Sequence, residues 1–263
     1  MSTRTSPWPA GVPCWADLMV SDVPTARAFY GSVLGWDFTD TDDEFGGYVL
    51  AQVDGVPAAG LGPLQPGSRT AWTLYLASDD ADATARAVTE HGGTVVAEPR
   101  DVGPLGRMCV AIDPAGAMFG VWQGKQHIGA GVVNRPGGLT WEDLRATDPA
   151  AAQAFYAAVF GYRLDPMEDA APDYVTFTVP GDEVPLGGMG GMFGAEGAPS
   201  HWLVYFGVAD ADAATRAAAG AGGTVAAEPF DTPYGRMAAL ADPEGTAFWV
   251  VQTDPTAGPD RSG

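Results

Sequence analysis

The sequence is poor in basic residues, and above all in lysine. Its 263 residues include 33 acidic and 13 basic side chains, which gives a net charge of -20 at pH 7. Lys125 is the only lysine. Because so acidic a surface repels nucleic-acid phosphates and anionic lipid headgroups, we expect no nucleic-acid partner and no membrane partner. The hydrophobic fraction of 46% and charged fraction of 17% are typical of a globular protein.

Cysteines and long apolar runs are also scarce. The only cysteines are Cys14 and Cys109. Two sparse cysteines are more typical of reduced, partly buried thiols than of a disulfide, although a disulfide pair stays open. The N-terminal residues contain no apolar run like a signal-peptide core, and no apolar stretch approaches the length of a membrane span. We therefore expect a cytoplasmic protein.

What the sequence does contain is an internal repeat along nearly its whole length. Trp15-Ala-Asp-Leu and Ala28-Phe-Tyr-Gly recur 126 positions later as Trp141-Glu-Asp-Leu and Ala154-Phe-Tyr-Ala. Further matches follow in the same order, namely His91–Pro99 with Ala221–Pro229, Gly106-Arg-Met with Gly235-Arg-Met, and Asp113-Pro-Ala-Gly with Asp242-Pro-Glu-Gly. An ordered set of matches with rare residue types indicates a duplication. The chain is predicted to consist of two similar domains.

The repeat also predicts the domain boundaries. The first domain is expected at residues 11–123, a linker at 124–138 and the second domain at 139–252. The linker is rich in glycine and contains Pro136, which is typical of a connecting segment. Residues 253–263 are predicted to form a flexible tail.

Each copy predicts the element order β-α-β-β-β twice. In the first copy a half-buried strand over 14–19 precedes a helix over 23–34, which Ser21 or Asp22 caps and Gly35 ends. Such an order predicts an α+β fold, with two βαβββ modules in each domain forming a curved mixed sheet with outer helices. The concave side of each sheet, here called a cup, is the natural pocket.

These modules, with Phe29-Tyr30 on the first helix, Leu34-Gly-Trp36 after it and a closing Asp-Pro-x-Gly hairpin, resemble the vicinal oxygen chelate superfamily. This superfamily contains glyoxalases, bleomycin-resistance proteins and extradiol dioxygenases. The resemblance covers about residues 12–252 and is nearest in style to two-domain actinobacterial glyoxalase-like proteins. It implies tandem glyoxalase-like domains but leaves the function open, because the superfamily includes metal enzymes and metal-free binders.

The resemblance also implies where a metal would bind, on the first, fourth, fifth and eighth strands. Those positions correspond to Trp15 and Trp141, the neighbourhoods of Leu74 and Val204, and Gly120 and Trp249. None of these side chains is a metal ligand, and the expected fourth strands, 56–62 and 184–190, contain no His, Asp or Glu. The three histidines are expected at a helix end (His91), in the linker (His127) and out of phase on a strand (His201). We therefore predict no metal site and no cofactor.

Strand alternation predicts an aromatic lining for both cups. Residues two apart on a strand share a face, so Trp15, Asp17 and Met19 are expected to face the first cup. The predicted ligand-binding residues are Trp15, Asp17, Met19, Trp72 and Trp122 in the first cup, and Trp141, Asp143, Arg145, Trp202, Phe206 and Trp249 in the second. Aromatic cups with one carboxylate suit flat apolar or weakly basic molecules.

Structural roles are the alternative for these side chains. The aromatic residues are as well explained as core, and the aspartates as partners of backbone groups. The tyrosines Tyr48, Tyr75, Tyr174 and Tyr205 are further candidate pocket hydroxyls. The repeated Arg107 and Arg236 are expected to anchor a loop rather than bind a ligand, and Tyr30 and Tyr156 to pack in the core.

Three functions are compatible with the sequence. The first is a metal-independent protein that binds a small aromatic or hydrophobic metabolite. The second is a metal-independent enzyme with a lyase, isomerase or oxygenase-like step, in which Asp17 or Asp143 is the general base with a pKa raised by burial. A metal-dependent glyoxalase or dioxygenase is the third and least favoured. Both a monomer with internally paired domains and a homodimer are compatible with the repeat.

Overall fold

The structure is a computed structural model that describes residues 4–40, 45–168, 170–193 and 197–253. Within these ranges the chain forms two eight-stranded sheets, each with two helices. The predicted flexible tail lies outside the described residues from position 254 onward.

The first copy contains β1 (Pro13–Val20), α1 (Val23–Leu34), β2 (Asp37–Asp40), β3 (Val49–Val53), β4 (Val56–Pro63), β5 (Trp72–Ala77), α2 (Ala81–Glu90), β6 (Thr94–Val102), β7 (Gly106–Ile112) and β8 (Met118–Gly124). The second contains β9 (Leu139–Arg145), α3 (Pro149–Phe160), β10 (Arg163–Pro166), β11 (Val175–Thr178), β12 (Gly187–Gly190), β13 (His201–Val208), α4 (Ala211–Gly220), β14 (Thr224–Thr232), β15 (Gly235–Ala241) and β16 (Ala247–Gln252). In the described ranges no helix combines the length and the apolar composition that crossing a membrane requires.

Two βαβββ modules lie side by side in each sheet. The strand orders are β2-β3-β4-β1-β5-β8-β7-β6 and β10-β11-β12-β9-β13-β16-β15-β14. The leading strands of the two modules, β1 and β5, pair antiparallel at the centre of the sheet, while β1 pairs with β4 and β5 with β8 in parallel. The predicted α+β fold of paired modules is confirmed.

Local sequence signals define the first helix of each copy. Asp22 accepts a hydrogen bond from the Thr25 backbone N–H at 3.1 Å, which satisfies an unpaired donor at the start of α1. Gly35 ends the helix with φ of 69°, a conformation that glycine adopts without strain. Asp148 and Gly161 play the same two roles for α3. Because these caps are local, the sequence predicts the helices well.

Each of these helices packs against the sheet of the other domain. The Tyr30 hydroxyl on α1 donates to Asp242 Oδ2 at 3.0 Å, in the turn between β15 and β16. Tyr156 on α3 lies against Asp113 in the corresponding turn of the first domain. Both tyrosines are fully buried. The repeated Asp-Pro-x-Gly turns therefore join the two domains, as well as closing their hairpins.

The register of the central strands corrects the phase expected for the fifth strand. Trp15 lies opposite Tyr75, and Trp141 lies opposite Tyr205. Since directly opposed residues of paired strands share a face, the tyrosines face the cups and their sequence neighbours face the helices. The expectation that Leu74 faces the cup is wrong by one residue, because Tyr75 faces it instead. Alternation shows which residues of a strand share a face, but it does not show how that strand is aligned with its neighbour.

Candidate functional site

Three residues predicted to line the cups lie instead in the core between the domains. The Trp72 ring is 5.5 Å from that of Tyr30 and 5.1 Å from that of Phe206. The Trp202 indole N–H donates to the Tyr156 hydroxyl at 2.9 Å. The structure thus corrects the predicted positions of Trp72, Trp202 and Phe206. The one-residue phase difference of β5 and β13 is the cause.

Asp17 lies at the centre of the first cup and is 5% exposed. The Tyr75 hydroxyl donates to its Oδ2 at 3.1 Å, and the Tyr48 hydroxyl donates to the same oxygen at 3.4 Å. The Trp15 indole N–H donates to the Tyr48 hydroxyl oxygen at 3.0 Å. Oδ1 is buried and has no hydrogen-bond partner among the described residues. One oxygen of this carboxyl group is therefore satisfied and the other is not.

Burial dominates the acidity of Asp17. It raises the pKa of this carboxyl group from 3.8 to about 7, although the hydrogen bonds from Tyr75 and Tyr48 favour the ionised form. Burial, followed by the nearby charge of Asp17, also raises the pKa of both tyrosines well above 10. The tyrosine hydroxyls thus keep their protons near neutral pH and act as donors, while Asp17 titrates in the physiological range.

Glycines make room for the two tyrosine rings. Gly60 on β4 lies opposite Asp17, and a Cβ at Gly60 would overlap the Tyr48 hydroxyl. Gly120 on β8 lies opposite Tyr75, and a Cβ there would overlap the Tyr75 ring. Any larger side chain would displace a tyrosine from the carboxyl group. The strand glycines are therefore part of how the Asp17 site is built.

The segment between β8 and β9, which the sequence predicts to be a linker, contributes a residue to the first cup. The His127 ring meets Trp15 edge to face at 4.5 Å and Trp122 at 5.6 Å between ring centroids. The Trp122 indole N–H donates to the His127 carbonyl oxygen at 2.8 Å. Burial lowers the pKa of His127 to about 4, so its imidazole is neutral at pH 7. Sequence reasoning did not assign His127 to the cup, because a linker residue has no strand phase to indicate its direction.

Asp143 occupies the corresponding position in the second cup and is fully hydrogen-bonded. Its Oδ1 accepts from the Tyr174 hydroxyl at 2.7 Å and from the Trp141 indole N–H at 3.0 Å. Its Oδ2 accepts from the Tyr205 hydroxyl at 2.8 Å and from the Arg145 guanidinium at 2.6 Å. Four donors therefore satisfy both oxygens, and Arg145 balances the negative charge.

The two cups carry their arginines on different strands. Arg145 on β9 lies 5.1 Å from the Phe193 ring centroid, while its equivalent on β1 is Met19, whose sulfur lies against Gly62. On the sixth strand of each copy it is the first cup that has the arginine. Arg100 lies opposite Met108 on the cup face of β6, and the corresponding residue on β14 is Phe230. Among the described residues, the first cup thus has an exposed cation on β6 and none beside its aspartate.

Eight of the eleven predicted residues do lie on the cup faces, namely Trp15, Asp17, Met19 and Trp122 in the first cup and Trp141, Asp143, Arg145 and Trp249 in the second. The four candidate tyrosines all contact the two aspartates. The tyrosines and the aspartates recur together at matching positions of the repeat. This joint recurrence is the sequence signal that could have predicted their contact. Whether any of these residues binds a ligand stays a prediction.

The donor set of the cups does not fit a divalent metal. At the centre of each cup one carboxyl group, Asp17 or Asp143, is surrounded by phenol and indole groups. Corrected for register, His201 lies opposite Arg145 on the cup face, but its Nδ1 contacts the Pro199 carbonyl oxygen at 2.8 Å. The described ranges hold no group of three or more His, Cys, Asp or Glu that could bind a metal. A divalent ion needs several such ligands converging on one point.

The repeated arginines lie away from the cup centres and form ion pairs. Arg107 contacts Asp82 on α2 at 2.7 Å, and Arg236 contacts Asp212 on α4 at the same distance. Each pair attaches the seventh strand of its domain to the neighbouring helix. The expected anchoring role fits these contacts.

The sequence family agrees with this architecture. The family model described as "Glyoxalase/Bleomycin resistance protein/Dioxygenase superfamily" matches residues 14–121 and again residues 135–250. The chain belongs to this superfamily, as the resemblance of its modules predicted.

Two groups of relatives are similar over almost the whole chain. "Putative glyoxylase CFP32" of Mycobacterium bovis is 40% identical over 259 residues, covering 96% of this chain and 98% of the relative. "Anthracycline biosynthesis protein DnrV" of Streptomyces peucetius is 38% identical over 266 residues, covering 95% of both chains.

Solved structures with the same fold are more distant in sequence. The Mn(II)-bound glyoxalase from Novosphingobium aromaticivorans has a TM-score of 0.65 at 18% identity, covering 93% of this chain and 85% of that one. The 2,3-dioxygenase LapB from Pseudomonas sp. KL28 has a TM-score of 0.67 at 17% identity, covering 96% of both chains. At these identities the similarity concerns the fold.

Proposed function

We propose that the protein binds a small planar aromatic or hydrophobic molecule in a cup, without the divalent metal that many members of its superfamily use. The observation that carries this proposal is the Asp17 site, in which a buried carboxyl oxygen lacks a partner among the described residues, inside an aromatic lining. A buried polar atom without a partner is rare, and a ligand is one way to satisfy it. Trp15 and Trp122 are 5% and 7% exposed, so a flat ring stacks on them when the side chains of the cup move apart.

The relatives named for anthracycline biosynthesis support the same chemistry. Anthracyclines are flat, fused-ring compounds with phenol and quinone oxygens, and the relative DnrV carries their name. A ligand of this type has aromatic faces to pack against tryptophan and oxygens to reach a carboxyl group. The ligand of the present protein is therefore proposed to be a hydroxylated polycyclic or similar aromatic metabolite.

Metal analysis combined with native mass spectrometry tests the proposal. The purified protein should carry less than stoichiometric divalent metal, and chelation should leave its affinity for an anthraquinone probe unchanged. A stoichiometric tightly held ion whose removal abolishes probe binding would contradict the metal-independent part. No detectable binding of planar aromatic probes by calorimetry would contradict the proposal as a whole.

Catalysis is a second candidate, which the acidity of Asp17 favours. A general base works best when its pKa is near the working pH, and burial raises the pKa of Asp17 to about 7. In such a step Asp17 Oδ1 takes a proton from an acidic position of the bound molecule and returns it to another atom of the same molecule, which is an isomerisation.

Asp17→Asn separates the two candidates, because asparagine keeps the shape of the side chain but is not a base. Loss of at least about 100-fold in turnover of a hydroxyaromatic ketone, with retained binding, would support catalysis. Turnover that is unchanged in this variant would exclude Asp17 as the base.

A further inference from the structure

The unsatisfied oxygen distinguishes the first cup from the second. Asp17 is 5% exposed, and its Oδ1 has no partner among the described residues. Asp143, at the same place in the repeat, accepts two hydrogen bonds at each of its carboxyl oxygens. We infer that the first cup alone receives the ligand and recognises a phenolic hydroxyl group, which donates to Asp17 Oδ1. This inference rests on the proposed function and specifies the cup, the atom and the ligand group.

The tyrosines determine which kind of ligand group fits. Tyr48 and Tyr75 both donate to Oδ2, and two such donors favour the ionised carboxylate. Above about pH 7 the carboxyl group is ionised and its oxygens accept hydrogen bonds, so the missing partner at Oδ1 is then a donor. A phenol hydroxyl is an acidic donor, and its bond to a carboxylate is stronger than one between neutral groups. The ligand hydroxyl would be the third hydroxyl donor to this carboxylate, after those of Tyr48 and Tyr75.

The two cups distribute their donors differently. In the first cup Tyr48 and Tyr75 both donate to Oδ2, and the Trp15 indole donates to Tyr48. In the second cup Tyr174 and Trp141 donate to Oδ1. There Arg145 follows Asp143 by two residues, shares its face and donates to Oδ2 at 2.6 Å. The equivalent residue in the first cup is Met19, which has no donor to offer. Met19 is half-buried and unbranched, so it is suited to moving aside for a ligand. Both oxygens of Asp143 are therefore satisfied within the second cup, whereas Asp17 Oδ1 in the first cup is left for an external donor.

The surroundings of Asp17 favour an aromatic ligand with a second polar group. The rings of Trp15, Trp122 and His127 form one side of the cup, where the imidazole meets both indoles edge to face. Arg100 lies on the cup face of β6, and its positive charge acts on the Tyr75 hydroxyl. It has no ion-pair partner among the described residues. A planar phenol that also bears a carbonyl or carboxylate group fits this arrangement.

A matched pair of probes isolates the hydroxyl group. Calorimetry at pH 8 would compare 2-naphthol with 2-methoxynaphthalene, which has the same rings but no donor. We expect the wild-type protein to bind 2-naphthol at least about 10-fold more tightly, the usual effect of a hydrogen bond to a charged group. In Asp17→Asn this preference should fall to about twofold or less, because the amide lacks the charge.

Two further variants test which cup is used. Met19→Arg introduces a guanidinium beside Asp17, as Arg145 lies beside Asp143, so it should abolish the preference for 2-naphthol while the fold is kept. The matched variant Asp143→Asn tests the opposite choice. If Asp143→Asn removes the preference and Asp17→Asn and Met19→Arg do not, the ligand binds in the second cup and the inference is wrong.

The pH dependence of binding provides a readout that a structural role would not change. A phenol that needs the ionised form of Asp17 should bind more weakly as the pH falls through about 7, approaching tenfold per unit below that pKa. Of the groups that face Asp17, both tyrosines stay protonated and His127 stays neutral between about pH 6 and 8, and Arg100 contributes its guanidinium group. The dependence should disappear in Asp17→Asn, and a wild-type affinity that is flat over this range would contradict the inference.

The outcomes separate this inference from the proposed function. Binding of neither naphthalene by the wild-type protein would count against both. Equal binding of the two probes, insensitive to Asp17→Asn, would keep an aromatic binding protein and reject recognition of the hydroxyl group.

Discussion

The two cups have an aspartate at the same position of their first strands, but the hydrogen bonds of the two aspartates differ. Asp143 has four donors, among them a guanidinium at 2.6 Å, whereas the described residues give Asp17 two donors on one oxygen and none on the other. Three side chains account for the difference. In the second cup Tyr174 and Trp141 donate to Asp143 Oδ1 and Arg145 adds a donor at Oδ2, whereas in the first cup Tyr48 donates to Oδ2, the Trp15 indole donates to Tyr48, and Met19 stands in place of the arginine. The duplication has kept the scaffold and the tyrosines, but the donors are distributed differently.

This comparison assigns different roles to the two aspartates. The Asp143–Arg145 pair is largely buried, with side-chain exposures of 5% and 16%. A buried ion pair contributes little compared with an apolar pair, but removing one partner leaves the other charge unbalanced. No described cation contacts Asp17, so burial dominates its behaviour. Under the proposed function, Asp17 is the binding or reacting group and the Asp143–Arg145 pair is structural.

The largest expected effect is on stability, and it separates the two aspartates directly. Asp143→Asn should lower the free energy of unfolding by about 3 kcal/mol at pH 8, because Arg145 keeps its charge in a buried site. Asp17→Asn should lower it by no more than about 1 kcal/mol, because no buried cation among the described residues depends on it. Urea denaturation of both variants measures the difference. Equal losses would remove the distinction between the cups.

A smaller effect concerns how stability changes with pH. Because the pKa of Asp17 is about 7 in the folded protein and has its ordinary value of 3.8 in the unfolded chain, folding favours the protonated form of this carboxyl group. The corresponding stability is fully present below pH 3.8 and is lost as the pH rises to about 7.

From pH 5 to pH 8 the wild-type protein should therefore lose between about 2 and 3 kcal/mol relative to Asp17→Asn. Parallel denaturation series at the two pH values measure this change. A constant difference between the two proteins would show that Asp17 titrates normally.

The contribution of the linker to the first cup is smaller again. His127→Ala should lower the free energy of unfolding by about 1 kcal/mol, since it removes ring contacts with Trp15 and Trp122. The control is His91→Ala, because His91 is exposed at the end of α2 and its loss should cost less than about 0.5 kcal/mol. Indistinguishable thermal unfolding of the two variants would mean that the imidazole does not support the cup.

The smallest effect is expected at the rim of the first cup. Arg100→Ala should weaken binding of 6-hydroxy-2-naphthoate by about threefold at low salt, a small effect because exposed charge pairs contribute little. Binding of 2-naphthol should be unaffected, because 2-naphthol has no carboxylate. The difference should shrink at high salt. Arg86→Ala, which removes a charge from α2, serves as the control. A similar loss with both variants would indicate a general charge effect rather than contact at the cup.

Much of the fold could be predicted because its signals are local or repeated. The ends of α1 follow from Asp22 and Gly35, and the module order follows from the alternation and spacing of the strands. The first-strand residues Trp15 and Asp17 were predicted to face the cup, and they do, because alternation along a single strand is enough for that conclusion.

The sequence by itself thus determined the duplication, the superfamily and the cup faces of the first strands. The tertiary structure decided three things that depend on distant parts of the chain. Strand register placed Tyr75 rather than Trp72 beside Asp17, since pairing is not encoded in the alternation of one strand. Linker packing brought His127 into the cup. The completeness of each carboxyl group depends on several side chains meeting at one point, so only the folded protein distinguishes Asp17 from Asp143.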